Sequence, residues 1–167
     1  MPKTETFILN KTEIDHKIKR MAYQIYEANI SEATVIIAGI KSNGYLLAEK
    51  LKKNLEKISP IKVILCKVTI DKTNPINAIT TSLSPDEYAN KSLVLVDDVL
   101  HSGTTLIYGV KHFLDVPLKQ FKTAVLVDRN HKKYPIKADY KGISLSTSIN
   151  ENVSVIFEKG KDRAILD

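Results

Sequence analysis

Residues Ser92–Leu106, S-L-V-L-V-D-D-V-L-H-S-G-T-T-L, constrain this chain more than any other stretch. The aliphatic run Leu93–Val96 has no polar alternation, so it reads as a strand buried on both faces, the kind found in parallel sheets covered by helices. It ends in two adjacent carboxylates, Asp97 and Asp98, and leads to a small hydroxyl-rich turn, Ser102-Gly103-Thr104-Thr105, after which an amphipathic pattern begins. The backbone N–H groups of such a turn, with the positive end of a helix dipole behind them, suit a phosphate dianion. Ser102, Thr104 and Thr105 add hydroxyl donors. The carboxylates suit sugar hydroxyls or a hard cation such as Mg²⁺. A phosphate at one end and two carboxylates at the other describe a site for a sugar phosphate. Taken singly, the acids read as a solvated strand end and the turn as an ordinary helix cap; their order along the chain favours the site.

The rest of the chain fits an alternating pattern. Thr12, with Asp15 three residues on, reads as an N-cap, and Ile14, Ile18, Met21, Ala22 and Ile25 predict an amphipathic helix over 13–29. Thr34–Ile40 predicts a buried strand, Leu47, Leu51 and Leu55 a helix over 44–57, and Ile61–Ile70 another strand. Residues 71–91 are polar, contain Pro75 and Pro85, show no period and read as one long loop. A strand over 92–97, a helix over 104–115 and a strand over Phe121–Val127 follow, with weaker strands near 138–140 and 152–158. The expected fold is α/β: one domain, 1–167, built on an open, mostly parallel, twisted sheet with helices on both faces. Ligands of such sheets sit at the carboxyl ends of the strands. The loop Lys41–Gly44, the acid pair, the turn 102–105 and Asp128-Arg129 all fall there.

The net charge of +6 suits anionic ligands, although a lysine-rich solvated surface explains it equally well. Cys66 is the single cysteine, which excludes an internal disulfide; its apolar strand setting reads as a buried thiol in a reducing cytoplasm. No stretch approaches the length of a bilayer span, and Met1–Glu5 lacks the apolar core of a signal peptide. A cytoplasmic protein with no membrane partner is expected.

Val96–Thr105 resembles the 5-phosphoribosyl-1-pyrophosphate (PRPP) motif of type I phosphoribosyltransferases. The likeness extends to the PyrR-like branch, pyrimidine operon regulators that often also have uracil phosphoribosyltransferase activity. Ile36–Gly44, Ala124–His131 and Pro135–Gly142 carry it as well, and it covers about Phe7 to Phe157 with a gap near 70–90. The resemblance implies the type I phosphoribosyltransferase fold with a flexible lid loop at about 71–91. It implies Mg²⁺-dependent transfer of the phosphoribosyl group from PRPP to a free nucleobase, foremost uracil, giving UMP and pyrophosphate. Two other readings stand beside it: a nucleotide-sensing, RNA-binding regulator of pyrimidine genes with weak turnover, and a purine-base phosphoribosyltransferase. A homodimer or higher homo-oligomer is also implied.

The same resemblance distributes roles. Asp97 and Asp98 would hold the ribose hydroxyls, directly or through Mg²⁺. His101, Ser102, Gly103, Thr104 and Thr105 would surround the ribose and the 5-phosphate. Lys41, Ser42, Asn43 and Gly44 would take the pyrophosphate, with Lys41 compensating for Asn43, where relatives often have Arg. Val127, Asp128 and Arg129 would flank the base, with Asp128 also serving Mg²⁺ and Arg129 facing phosphate or the base edge; His131 is a lesser candidate there, and backbone near Lys137–Tyr140 would read a pyrimidine edge. Thr104 stands where the PyrR branch usually has Arg. The lid lacks that branch's Tyr-Arg-Asp-Asp pattern, of which Asp71-Lys72 remains. His101 occupies a position that is acidic in purine-specific relatives; it reads first as a side chain packed over the loop and second as an acid–base group. His16, Lys19, Arg20 and Tyr23 share a helix face that could bind phosphates and stack a base, although Thr and His are expected where Lys19 and Tyr23 stand, so RNA is the weaker partner reading.

Overall fold

A computed structural model describes residues 5–148 and 151–167; Met1–Thr4, within the stretch where no leader was read, and Ile149–Asn150 lie outside the described residues. Strand β1 (Thr6–Leu9) leads into helix α1 (Lys11–Ala28), followed by β2 (Thr34–Ile40), α2 (Asn43–Ile58), β3 (Lys62–Thr69), β4 (Thr80–Thr81) and α3 (Pro85–Tyr88). Then come β5 (Ser92–Leu100), α4 (Thr104–Phe113), β6 (Gln120–Arg129), β7 (Tyr140–Leu145), β8 (Val153–Ile156) and β9 (Arg163–Leu166). Asn10, rather than Thr12, starts the first helix. Its side-chain oxygen accepts from the Glu13 N–H at 2.9 Å, and the Glu13 carboxylate accepts from the Asn10 N–H at 3.1 Å. This reciprocal pair satisfies two of the amides a helix start leaves bare.

The main sheet has the order β4-β3-β2-β5-β6-β7, parallel throughout except for the short antiparallel β4. Its strands are apolar on both faces because both faces are covered. Val35, Ile37, Val94, Val96, Ala124 and Leu126 join the buried faces of α1 and α2. Ile36, Ala38, Ile40, Leu93, Leu95 and Val125 meet Leu106 and Phe113 of α4 from the other side. Leu47, Leu51 and Leu55 are wholly buried on α2, each contributing on the order of 2 kcal/mol of transfer free energy.

Two features depart from expectation. A second sheet, β1-β9-β8, wholly antiparallel, adds Val153, Val155 and Ala164 to the α1–α2 side of the core. Of its strands only β8 was anticipated: V-S-V-I opens on an apolar–polar alternation that T-F-I-L and R-A-I-L, of the same length, lack. The expected long loop at 71–91 is also shorter. Thr80 and Thr81 pair with Thr69 and Val68, and Tyr88 is buried edge-on against Phe113 with ring centroids 5.0 Å apart. What remains of the lid is 71–79, a turn knotted by Asp71, whose Oδ1 accepts from the Thr73 N–H and hydroxyl at 3.0 and 2.7 Å.

Helix α2 can approach β2 closely because Gly39 has no side chain. A Cβ there would lie 2.5 Å from Tyr45 Cα and 2.8 Å from Ala48 Cβ. Gly39→Ala is expected to push α2 off the sheet and destabilise the protein by about 1–3 kcal/mol, read as a lowered denaturation midpoint.

Candidate active site

The sheet's pleat slips at the acid pair. Val96 and Val99 both face the larger core, and Leu95 and Leu100 the smaller, so strict alternation fails across Asp97–Asp98. The backbone there is held by the acids themselves: the Asp98 N–H donates to Asp97 Oδ1 at 2.9 Å and the Val99 N–H to Asp98 Oδ1 at 2.8 Å. Asp97 is buried and Asp98 half-buried. Burial first, and then the negative charge of Asp98, push the Asp97 carboxyl from 3.8 up to about 8, with Lys72 opposing. Lys72 Nζ, from the lid, stands 3.7 Å from Asp97 Oδ1.

The loop before α2 lies directly on this pair. A Cβ on Gly44 would sit 2.7 Å from the Val96 carbonyl and 3.0 Å from Asp97 Cα. Asn43 Nδ2 donates both to Asp98 Oδ2 at 3.1 Å and to the Val155 carbonyl of β8 at 2.8 Å. The Lys41 N–H is taken by the Val68 carbonyl at 2.8 Å, so Lys41 offers its exposed side chain rather than its amide. The Lys41–Ser42 peptide is cis. Ser42 stands at the N-cap without bonding its side chain to the helix, so that side chain supplies no acceptor to the first-turn amides.

The hydroxyl-rich turn caps α4 as the sequence implies. Gly103 takes φ +89°, and a side chain there would also strike Ile136 Cγ2, so glycine is required twice over. The Ser102 carbonyl accepts from the amides of Lys133 and Tyr134 at 2.8 and 3.1 Å, which fixes the turn to the segment after β6. Ser102 Oγ and Thr104 Oγ1 lie 2.9 Å apart. The first backbone bond of the helix runs from the Ile107 N–H to the Gly103 carbonyl at 2.9 Å, leaving the amides of Thr105 and Leu106 without an acceptor among the described residues. Lys72, Asp97, Asp98, His101 and the turn Ser102–Thr105 line one cleft of about 240 Å³. A neighbouring cleft of about 340 Å³ is bounded by His101, Ser102, Arg129, His131, Lys132 and Lys133. A larger groove of about 600 Å³, with Lys11, Lys50, Lys53 and Lys57 on its walls, lies away from the strand ends.

The residues after β6 behave differently from expectation. Val127 is wholly buried in the larger core, so its side chain cannot meet a ligand. Asp128 is buried between two lysines, with Lys132 Nζ 3.1 Å from Oδ1 and Lys141 Nζ 3.5 Å from Oδ2. No group of three or more His, Cys, Asp or Glu side chains among the described residues could hold a metal, so Asp128 does not join Asp97 and Asp98 in a metal cluster. The two strand-end acids alone suit a cation that completes its shell with substrate oxygens and water, as Mg²⁺ does. Arg129 does not face outward: Nε and Nη2 donate to Thr147 Oγ1 at 2.9 and 2.7 Å, Nη2 to the Glu151 carbonyl at 2.6 Å, and Nη1 lies 3.0 Å from His101 Nδ1. His131 Nε2 meets the Thr147 carbonyl. Thr123 Oγ1 donates to the Lys137 carbonyl at 2.6 Å and so pins the 137–140 backbone beside β6. Lys72, read from the sequence only as part of what remains of the lid pattern, enters the site itself, and Thr147 was not foreseen there, a lone threonine in a loop carrying no pattern. On α1, Arg20 is exposed, and its Nη2 donates to the Lys141 and Gly142 carbonyls at 3.0 and 2.6 Å, which ties this member of the basic face read for RNA to β7.

Comparison with known proteins agrees with this geometry. The Phosphoribosyl transferase domain family matches residues 7–157. The chain is 32% identical over 165 residues to the Bifunctional protein PyrR of Macrococcus caseolyticus, covering 93% of this chain and 94% of that protein. It is 34% identical over 163 residues to the Bifunctional protein PyrR of Listeria monocytogenes, covering 90% and 88%. Among solved structures, a variant of the hypoxanthine phosphoribosyltransferase of Trypanosoma cruzi, complexed with the product IMP, superposes with a TM-score of 0.81 at 16% identity over 100% of this chain and 92% of that one. A hypoxanthine-guanine phosphoribosyltransferase from Bacillus anthracis gives 0.70 at 18% identity over 84% and 82%. At such identities the structures show a common fold. No helix among the described residues is long and apolar enough to cross a membrane.

Two outcomes follow for the site. Because the fold raises the Asp97 carboxyl from 3.8 to about 8, it favours the protonated form; ionisation destabilises the native state progressively across that interval and fully above it. Asp97→Asn should therefore raise the melting temperature, with a gain absent below pH 3.8, growing with pH and levelling off above about 8. Gly103→Ala should weaken inorganic phosphate or PRPP binding by about tenfold or more in calorimetry, through strain at the positive φ and the collision with Ile136.

Proposed function

The chain belongs to the phosphoribosyl transferase domain family, and on that footing we propose that it transfers the 5-phosphoribosyl group of PRPP to a free nucleobase, foremost uracil, with Mg²⁺, giving UMP and pyrophosphate. The observation that carries this is a single cleft in which the acid pair of β5 and the phosphate-sized turn of α4 face one ligand. The free amides of Thr105 and Leu106, the hydroxyls of the turn and the positive end of α4 receive the 5-phosphate. Asp97 and Asp98 accept hydrogen bonds from the ribose hydroxyls. As the bond from the anomeric carbon to pyrophosphate breaks and the base nitrogen attacks from the opposite face, positive charge builds on the ribose beside these acids. The Lys41 ammonium and the first-turn amides of α2 hold the departing pyrophosphate. Asp97 and Asp98, with substrate oxygens, would hold Mg²⁺, which would supply charge neutralisation for that leaving group. The Lys72 ammonium stands in for such a cation at Asp97, and the lid that carries it excludes water once the substrates are in place. The base occupies the 340 Å³ cleft beside His101; the 137–140 backbone read for its edge lies instead beside Thr123 and Ala124, toward the other end of β6.

The regulator reading, with RNA as partner and a homo-oligomer as its frame, draws on the relatives' description as bifunctional. The commitment of Arg20 to β7 carbonyls counts against it on the α1 face. Pyrophosphate release from PRPP and Mg²⁺, measured with uracil, hypoxanthine, guanine, xanthine and adenine in turn, tests the assignment. Uracil is expected to give turnover, and Asp98→Asn to lower kcat by about 100-fold, from lost positioning and charge stabilisation. Turnover with a purine alone would reassign the base; no turnover with any base, alongside tight UMP binding, would move the protein to the regulator reading.

A further inference from the structure

We propose that Arg129 is a positioning residue that fixes His101 as a one-way hydrogen-bond donor, so that the base taken by the site is one that turns a lone pair, on a carbonyl oxygen or an unprotonated ring nitrogen, toward His101 Nε2. The identity of the ligand as a free base rests on the phosphoribosyl-transfer reading; the state of the imidazole does not.

The inference begins with what each group can do. A guanidinium donates hydrogen bonds and accepts none, and it stays protonated in proteins. Arg129 Nη1 lies 3.0 Å from His101 Nδ1, so Nδ1 must present its lone pair. The proton of a neutral imidazole then sits on Nε2. A second proton could enter only at Nδ1, against an N–H already pointing there. Burial and the Arg129 charge accordingly hold the His101 pKa below its ordinary value, with Asp98 pulling the other way and Lys72 adding to the depression.

Arg129 cannot swing aside to release the ring. It is 7% exposed, and its other donors are fixed on Thr147 Oγ1, the Glu151 carbonyl and, at 3.2 Å, the Ser148 carbonyl. His101 Nε2, in contrast, has no partner among the described residues, and the ring borders both the acid-pair cleft and its neighbour. The only free hydrogen-bonding atom of His101 is thus an N–H. It has no lone pair to offer a ligand, so it does not act as a general base toward the attacking nitrogen. An acidic residue in this position would present acceptors; this chain presents a donor.

The first test needs no ligand. Long-range ¹H–¹⁵N correlation spectra at pH 7 should show His101 as the Nε2–H tautomer, and Arg129→Gln should convert it to a tautomer mixture with an upward-shifted pKa while Asp97 and Asp98 stay in place. An Nδ1–H or doubly protonated ring in the unaltered protein overturns the proposal. The second test is calorimetric binding of UMP and IMP. His101→Glu, which turns an acceptor toward the ligand, should weaken both by about tenfold or more. His101→Gln, which restores an outer N–H, should recover most of that loss. Equal binding by the Glu and Gln variants overturns the donor role. Failure of the unaltered protein to bind PRPP, with the tautomer as stated, would overturn the phosphoribosyl-transfer reading instead.

Discussion

The break in the pleat between Val96 and Val99 is the constraint on which the open end of this molecule depends. A continuous alternation would send one acid into each core. The slip instead lets each acid accept from the amide of the residue after it, Asp97 from Asp98 and Asp98 from Val99, while both line a single cleft. Everything nearby is fitted to it. Gly44 allows α2 to start against the Val96 carbonyl, Gly103 allows α4 to start at the far side, and the Ser102 carbonyl ties that second start to the segment after β6. Two helix N-termini thus converge on one strand end because each carries, at its cap or in its first turn, a position where only hydrogen fits.

Placing a carboxyl where burial and a like charge raise it to about 8 stores a demand for a cation or a hydrogen-bond donor. The Lys72 ammonium meets part of it at 3.7 Å, but from an exposed lysine, where screening by water makes the contact weak. A ligand bringing hydroxyl donors and a hard cation meets it better, so affinity is drawn from an unfavourable feature of the free protein. Asp128 is also buried but sits between two lysine ammonium groups, Lys132 and Lys141, where Asp97 has one.

Much of this was legible in the sequence, and the reasons are local. The strand Leu93–Val96, the acid pair and the Ser-Gly-Thr-Thr turn each announce themselves by composition, and parallel-sheet topology places strand ends together without further information. The wide helix faces of α1 and α2 gave their core residues directly. What was hidden depends on partners remote in sequence. Nothing around Arg129 says that Thr147 and the Glu151 carbonyl will claim it, and nothing around Val127 says that it joins Leu126 in the larger core. The capping box at Asn10 was missed for a nearer reason: Thr12 offers the same chemistry two positions on, and only the backbone decides between them. Strands β1 and β9 were beyond reach, since neither alternates apolar with polar and they gain meaning only from each other.

Asn43 has one further consequence. Its amide nitrogen has two hydrogens, and the structure uses them on two bodies: the Asp98 carboxylate and the Val155 carbonyl of the small sheet. The small sheet, assembled from both ends of the chain, is thereby coupled in series with the acid pair through a single side chain. A ligand that claims Asp98 Oδ2 competes for one of those hydrogens, and the tether then slackens at its other end. Occupancy of the cleft therefore loosens the Asn43 link between the acid pair and the small sheet.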